Sequence, residues 1–226
     1  MNHKKIIEDQ RKIYSDNFLK HKDSSLGTFQ NNRATQHLRF EKIIDPFRNI
    51  LNKNTSFHDF GCGSCDMYDY MQQHSIECNY SGTEIMQEMI DHAKTKFPGI
   101  SVSNRDLLKE SLTDKYDIVV FSGGLYFPGN IPQDEWAEYV FEIIGKMYEM
   151  CKIGISFNLL TTYSTFRDPN LFYLDPREIM DFCINNLSRF VSLQHNYPLY
   201  EWTMAVFKPD YIKTLYHKKE FEKYFK

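Results

Sequence analysis

The sequence predicts an α/β protein: a seven-stranded, mostly parallel sheet with an antiparallel last strand and helices on both faces. Three observations lead there. From Ser56 onward, short β-prone runs alternate with helical stretches, the pattern of right-handed crossovers onto a parallel sheet. The final two runs are joined only by residues 195–200, too short a link for a crossover, so that pair is antiparallel. The 226 residues, 42% hydrophobic and 25% charged, suffice for one ordinary core.

The elements follow in order. Residues 5–20 read as a helix with Ile6, Ile7, Ile13, Phe18 and Leu19 as its apolar positions, and Asp23-Ser24-Ser25 and Gly27 form a polar joint. A second helix is expected over about 32–51. There Leu38, Phe40, Ile43, Ile44, Phe47 and Leu51 approach a 3.6-residue period, and Pro46 kinks or ends the helix. Strands are expected at Ser56–Phe60, 79–83, 100–103, 116–122 and 153–160, with helices clearest at 86–97 and 134–151. Asp175-Pro176-Arg177-Glu178 combines an N-cap, a first-turn proline and a capping-box acid, so a helix begins there. Strands at 190–194 and Glu201–Phe207 close the sheet, and the Lys- and Tyr-rich tail reads as a surface helix or as disordered. This divides the chain into an N-terminal helical segment (1–52), a sheet domain (53–208) and a C-terminal tail (209–226).

A formal net charge of −3 disfavours nucleic-acid and membrane-surface binding, which call for a basic excess. No apolar run approaches the roughly 18 residues of a membrane span. The polar N-terminus does not look like a secretion signal, and a cytoplasmic location is expected. The five cysteines, an odd number without framework spacing, read as reduced thiols.

The chemistry concentrates at three successive strand ends. The first strand runs into Asp59-Phe60-Gly61-Cys62-Gly63-Ser64-Cys65, where glycines allow the backbone to approach a ligand and offer it amide N–H groups. The second, Tyr80-Ser81-Gly82-Thr83-Glu84, ends about twenty residues on in an acid able to accept ribose hydroxyls. The third ends in Asn104-Arg105-Asp106-Leu107, again with an acid. On these residues, residues 30–208 resemble the class I S-adenosylmethionine-dependent methyltransferases, which have a Rossmann-like fold. The resemblance implies that Asp59, Gly61, Cys62 and Gly63 surround the methionyl part of the cofactor. Glu84 would lie on the ribose with Ile85 against adenine, and Asp106 and Leu107 would lie at the adenine amino group. The resemblance also implies a place in that site for Ser122, at the end of the fourth strand. Cys65 departs from the family pattern, standing where a third glycine is usual. Short strings around Asn158, Tyr173 and His195 are also similar to a bacterial subgroup that tailors glycans and natural products.

Two other readings of the glycine loop compete. Cys62-Gly63-Ser64-Cys65 is a C-x-x-C, but a thioredoxin-like domain is about half this length and leaves Glu84 and Asp106 unexplained. Four zinc ligands are also lacking, so no metal site is expected. An NAD-linked oxidoreductase shares the strand–glycine–helix–acid logic but requires a glycine where Asp66 stands. A non-catalytic nucleoside-binding protein is the remaining alternative.

The expected function is therefore methyl transfer from S-adenosylmethionine, leaving S-adenosylhomocysteine. The acceptor is a hydroxyl or amine of a small molecule or glycan precursor. The fourth strand continues into Ser122-Gly123-Gly124-Leu125-Tyr126 and not into the Asn/Asp-Pro-Pro-aromatic string of nucleic-acid amino methyltransferases. His195 is the candidate base, because imidazole exchanges protons near neutral pH; a loop histidine bonded to backbone is the plainer account. Tyr126 and Asn158 share the carboxyl-end rim and are candidate acceptor-side residues. The N-terminal helices are expected to cover the cofactor as a lid, with Arg39 pairing its carboxylate.

Overall fold

The computed structural model describes residues 3–21, 32–106, 108–110 and 114–225. Two helices precede the sheet: α1 (His3–His21) and α2 (Arg33–Ile44). Asn32 caps α2, its side chain accepting the Thr35 N–H at 3.0 Å. The helix expected over 32–51 divides at Pro46, because proline lacks an N–H for the α-helical ladder, and Asp45–Ile50 continues as a 3-10 helix.

The alternating region then gives β1 (Ser56–Phe60), α3 (Asp66–Gln73), β2 (Asn79–Glu84), α4 (Gln87–Lys96), β3 (Val102–Asn104) and β4 (Tyr116–Phe121). It continues with α5 (Gln133–Met150), β5 (Cys151–Thr161), β6 (Tyr173–Leu174), α6 (Pro176–Asn186), β7 (Val191–Gln194) and β8 (Glu201–Phe207). The order across the sheet is β3-β2-β1-β4-β5-β8-β7, and only β8 runs against its neighbours. Seven of these strands are the expected ones. The eighth is the two-residue β6, which pairs with the end of β5 through Leu160–Tyr173 and Thr161–Leu174. A run that short leaves no period in the sequence. The tail is α7 (Pro209–Leu215) and a 3-10 helix (Lys219–Phe225), neither with a buried residue.

The sheet separates two cores. On one face α5 and α6 lay Trp136, Val140, Ile143, Ile144, Met147 and Ile179 against Val119, Ile155, Phe157, Trp202 and Met204. On the other, α2, α3 and α4 lay Phe40, Ile43, Met67, Met71 and Ile90 against Phe57, Tyr80, Ile118 and Val120. The alternation of strand side chains between faces sorts β4: Ile118 and Val120 go one way, Val119 and Phe121 the other. Ile6 and Ile7 of α1 join the α5 side, so the N-terminal helix is seated on the domain beside the carboxyl ends of the parallel strands.

Candidate cofactor site

A cavity continuous with solvent, about 850 Å³ with its open mouth included, lies at the carboxyl ends of β1, β2 and β4. It is built from three turns. After β1, the amides of Gly61 and Cys62 are tied to the Thr83 carbonyl at 2.8 and 3.0 Å, which fastens the glycine loop to the end of β2. Gly61 lies in the left-handed region at φ +68°, and a Cβ there would meet the Phe121 ring at 2.7 Å. Cys65 keeps the glycine-like conformation of the position it occupies, with φ +62°. Its N–H donates to the Cys62 carbonyl at 2.9 Å and its side chain is fully buried. The hydrogen bond with Cys65, and then burial, push the Cys62 thiol well up, which keeps it protonated and poorly nucleophilic.

At the end of β2 the buried Glu84 carboxylate turns back onto the backbone. It accepts the Gly63 N–H at 2.9 Å, the Ile85 N–H at 2.7 Å and the Met86 N–H at 3.1 Å. Burial raises its pKa, and the three amides oppose that rise. After β3, Asp106 lies 2.9 Å from Lys109 through Oδ2, a buried atom without a well-aligned hydrogen bond. The same turn is clamped by Arg105, which donates to Glu110 at 2.7 Å and Asp114 at 2.6 Å.

The remaining wall comes from α1 and α5. Ile7, Gln10 and Tyr14 of α1 line the cavity together with Trp136, Tyr139 and Ile143 of α5. Gln10 donates to the Phe127 carbonyl at 2.7 Å, and Tyr14 reaches the Gly124 carbonyl at 3.4 Å. Burial and the nearby Glu84 charge hold the Tyr14 hydroxyl protonated.

Of the residues the sequence singled out, Gly61, Gly63, Glu84, Ile85, Asp106 and Ser122 line this cavity. Leu107 lies outside the described residues. Asp59 and Cys62 sit behind the loop: the Asp59 carboxylate is buried and accepts the Tyr80 hydroxyl at 2.8 Å. Arg39 has a different partner from the cofactor carboxylate the sequence suggested. Its guanidinium is buried against Glu201, with Nη2 2.5 Å from Oε1. Tyr126 and Asn158 join that ion pair and do not line the cavity, and both donate to Glu201 Oε2, at 2.9 and 2.7 Å. His195 is exposed, its ring 6.2 Å from that of Tyr163, and it too is absent from the cavity wall.

Sequence reasoning gave no role to Glu201, Gln10, Tyr14 or Arg105. Glu201 had a readable signal: like Asn158 in β5, it is a polar residue in a strand, β8, that is mostly apolar and mostly buried, and buried polar groups need partners. Gln10 and Tyr14 had none, since polar residues on a helix usually face water.

No protein-family model matches the chain. A Mycobacterium tuberculosis (strain ATCC 25618 / H37Rv) protein named "Putative methyltransferase Rv1506c" is 31% identical over 175 residues, covering 76% of this chain and 99% of that protein. Solved structures that share the fold include the following two. Magnesium protoporphyrin IX methyltransferase (ChlM) from Synechocystis PCC 6803, with bound SAH, superposes at TM-score 0.61 with 14% identity, covering 88% of this chain and 100% of that one. DhpI in its SAM–HEP complex superposes at TM-score 0.61 with 12% identity, covering 88% and 96%. Sequence kinship along the whole length of the mycobacterial relative, together with this strand order, places the chain in the class I S-adenosylmethionine-dependent methyltransferase family.

Proposed function

We propose that this methyltransferase acts on a hydroxyl or amine of a small molecule or glycan precursor, with S-adenosylmethionine held by Glu84, Asp106 and the Gly61–Gly63 backbone. The observation behind this reading is the cavity itself. It brings a turned-back glycine loop and two acids from successive strand ends to one wall, and apolar side chains of α1 and α5 to the other.

The residues fit such a group. The Asp106 oxygen lacking a well-aligned hydrogen bond is an acceptor suited to an exocyclic amino group. A carboxylate offers about four lone-pair sites. Three sites of Glu84 are engaged by backbone amides, leaving room for one ribose hydroxyl. Accepting both hydroxyls would release an amide, and two of the three donors, Gly63 and Ile85, belong to residues on the cavity wall. The cofactor supplies a methyl group already activated on a sulfonium. The protein's task is to hold the acceptor in line with that bond at about 3 Å and to keep water away. The buried face of α1 suits the second task, and we read it as part of a lid. The net charge of −3 favours a small acceptor over nucleic acid.

Titration calorimetry with S-adenosylmethionine and S-adenosylhomocysteine tests the cofactor half. Glu84→Ala should weaken binding about tenfold or more, since a charge-assisted hydrogen bond contributes about 1.5–3 kcal/mol. Wild-type affinity in a folded Glu84→Ala protein would remove the ribose assignment. A labelled-methyl screen against nucleotide sugars and small amines tests the acceptor half, and turnover confined to nucleic acid or protein would overturn it.

A further inference from the structure

We infer that Glu201 is a positioning residue that sets the loop after β4 through Asn158, and that Arg39 links this setting to helix α2. Each of Glu201, Asn158, Arg39 and Tyr126 is less than a tenth exposed. Arg39 Nε lies 2.6 and 2.8 Å from the two Glu201 oxygens, and Tyr126 and Asn158 fill the remaining positions on Oε2. A carboxylate accepts and does not donate, so the Asn158 group facing it is the NH₂. That fixes the amide's other end: Asn158 Oδ1 accepts the Gly123 N–H at 3.1 Å. Gly123 is part of the cavity wall between Ser122 and Gly124. The chain of bonds therefore runs from α2 through Arg39, Glu201 and Asn158 to one backbone amide of the cofactor cavity. Every donor and acceptor along it has a single workable orientation.

This assigns a use to a carboxylate that the proposed methyl transfer does not otherwise employ. Its hydrogen-bonding capacity is taken up, so it does not serve as the base. The inference rests on reading the cavity as the methyl-donor site only for its effect on affinity. The effect on Gly123 stands without ligand.

The test uses Glu201→Gln and Asn158→Ala, singly and together, with thermal unfolding to establish that each is folded. In the free protein, the Gly123 amide resonance should shift in both single variants and its hydrogen exchange should speed up about tenfold or more. S-adenosylmethionine affinity should fall about five- to tenfold in each single variant. The double variant should be no worse than Asn158→Ala alone, because both act through one bond. If Glu201→Gln does not fold, Asn158→Ala alone decides through the Gly123 amide. An unmoved Gly123 amide in folded Asn158→Ala, or fully additive losses in the double variant, overturns the inference. A shifted amide with no S-adenosylmethionine binding in the wild type keeps the relay and removes the cofactor reading instead.

Discussion

Arg39 of α2 and Glu201 of β8, 162 positions apart in the chain, form a buried ion pair whose closest approach is 2.5 Å. Side chains 9% and 2% exposed receive little screening from salt. The pair ties a helix that precedes the sheet to the strand that completes it. Removing one partner strands a charge in the core, whereas replacing both by apolar groups does not. Arg39→Leu should therefore destabilise the fold by about 3–5 kcal/mol in urea unfolding, and Arg39→Leu with Glu201→Leu by clearly less. A double variant at least as unstable as the single would mean that the pair's own attraction, and not the stranded charge, dominates.

A second pair of neighbours predicts the pH response. His58 and Asp59 lie side by side on β1 and so point to opposite faces. His58 bonds Ser81 and Thr83 at 2.9 and 3.1 Å, and burial pushes its pKa down to about 3, with the Arg105 charge adding to the drop. Asp59 is pushed up to about 7 by burial, against the opposing bond from Tyr80. Unfolded, the two titrate near 6.5 and 4. Between about pH 4 and 7 the folded state holds a proton on Asp59 that the unfolded chain has lost, so this residue lowers stability as pH rises. Between about pH 3 and 6.5 the unfolded chain holds a proton on His58 that the folded state lacks, so that residue raises stability as pH rises. The two slopes, each about 1.4 kcal/mol per pH unit, oppose one another. Relative to wild type, Asp59→Asn should steepen the gain in stability from pH 4.5 to 6.5, and His58→Gln should reverse it. Parallel curves for all three proteins would refute both burial assignments.

Much of this was legible in the sequence, and the limits have physical causes. β1 and β8 lie at their expected residues because turn-forming residues, Gly61 after β1 and Pro198 and Pro209 around β8, mark their ends, and Asp175 caps α6 as its spacing requires, accepting the Arg177 N–H at 2.8 Å. The acids at the ends of β2 and β3 reach the cavity because a parallel sheet brings successive carboxyl ends to one rim. What sequence could not supply was the choice among partners. Arg39 has a guanidinium suited to any carboxylate, and only the fold reveals Glu201 beside it. Tyr126 and Asn158 were expected on the rim as acceptor-side residues, and their hydrogen bonds face inward to that same acid.

Gly61 offers a local test of the glycine loop. Its φ of +68° costs a residue with a Cβ about 1–2 kcal/mol, and that Cβ would also meet Phe121 Cε2 at 2.7 Å. Since the Phe121 ring lines the cavity, pushing it aside changes the cofactor wall as well as the packing. Gly61→Ala should lose about 1–3 kcal/mol of stability and bind S-adenosylmethionine more weakly. Adding Phe121→Leu should restore part of the stability. Should the second substitution restore nothing, backbone strain alone accounts for the loss and the close approach to Phe121 does not matter.

Helix α1 supplies the last prediction. One face of it is attached to the domain: Ile6, Ile7 and Phe18 are buried against the cores, Asp9 accepts the Asn130 N–H and its side-chain amide, each at 3.0 Å, and Gln10 donates to Phe127. Ile7, Gln10 and Tyr14 are the share of the cavity wall that α1 supplies. A helix packed along one face only opens more readily than one packed into a core on every side, and a ligand beneath it favours the closed state. Saturating S-adenosylmethionine should slow hydrogen exchange across residues 6–18, while α5 changes little. Asp9→Ala should quicken exchange of that segment in the free protein and weaken cofactor binding severalfold, leaving global unfolding within about 1 kcal/mol of wild type. Equal protection of α1 with and without cofactor, in a protein shown by calorimetry to be saturated, would mean that the helix is a fixed wall and that ligand enters by another route.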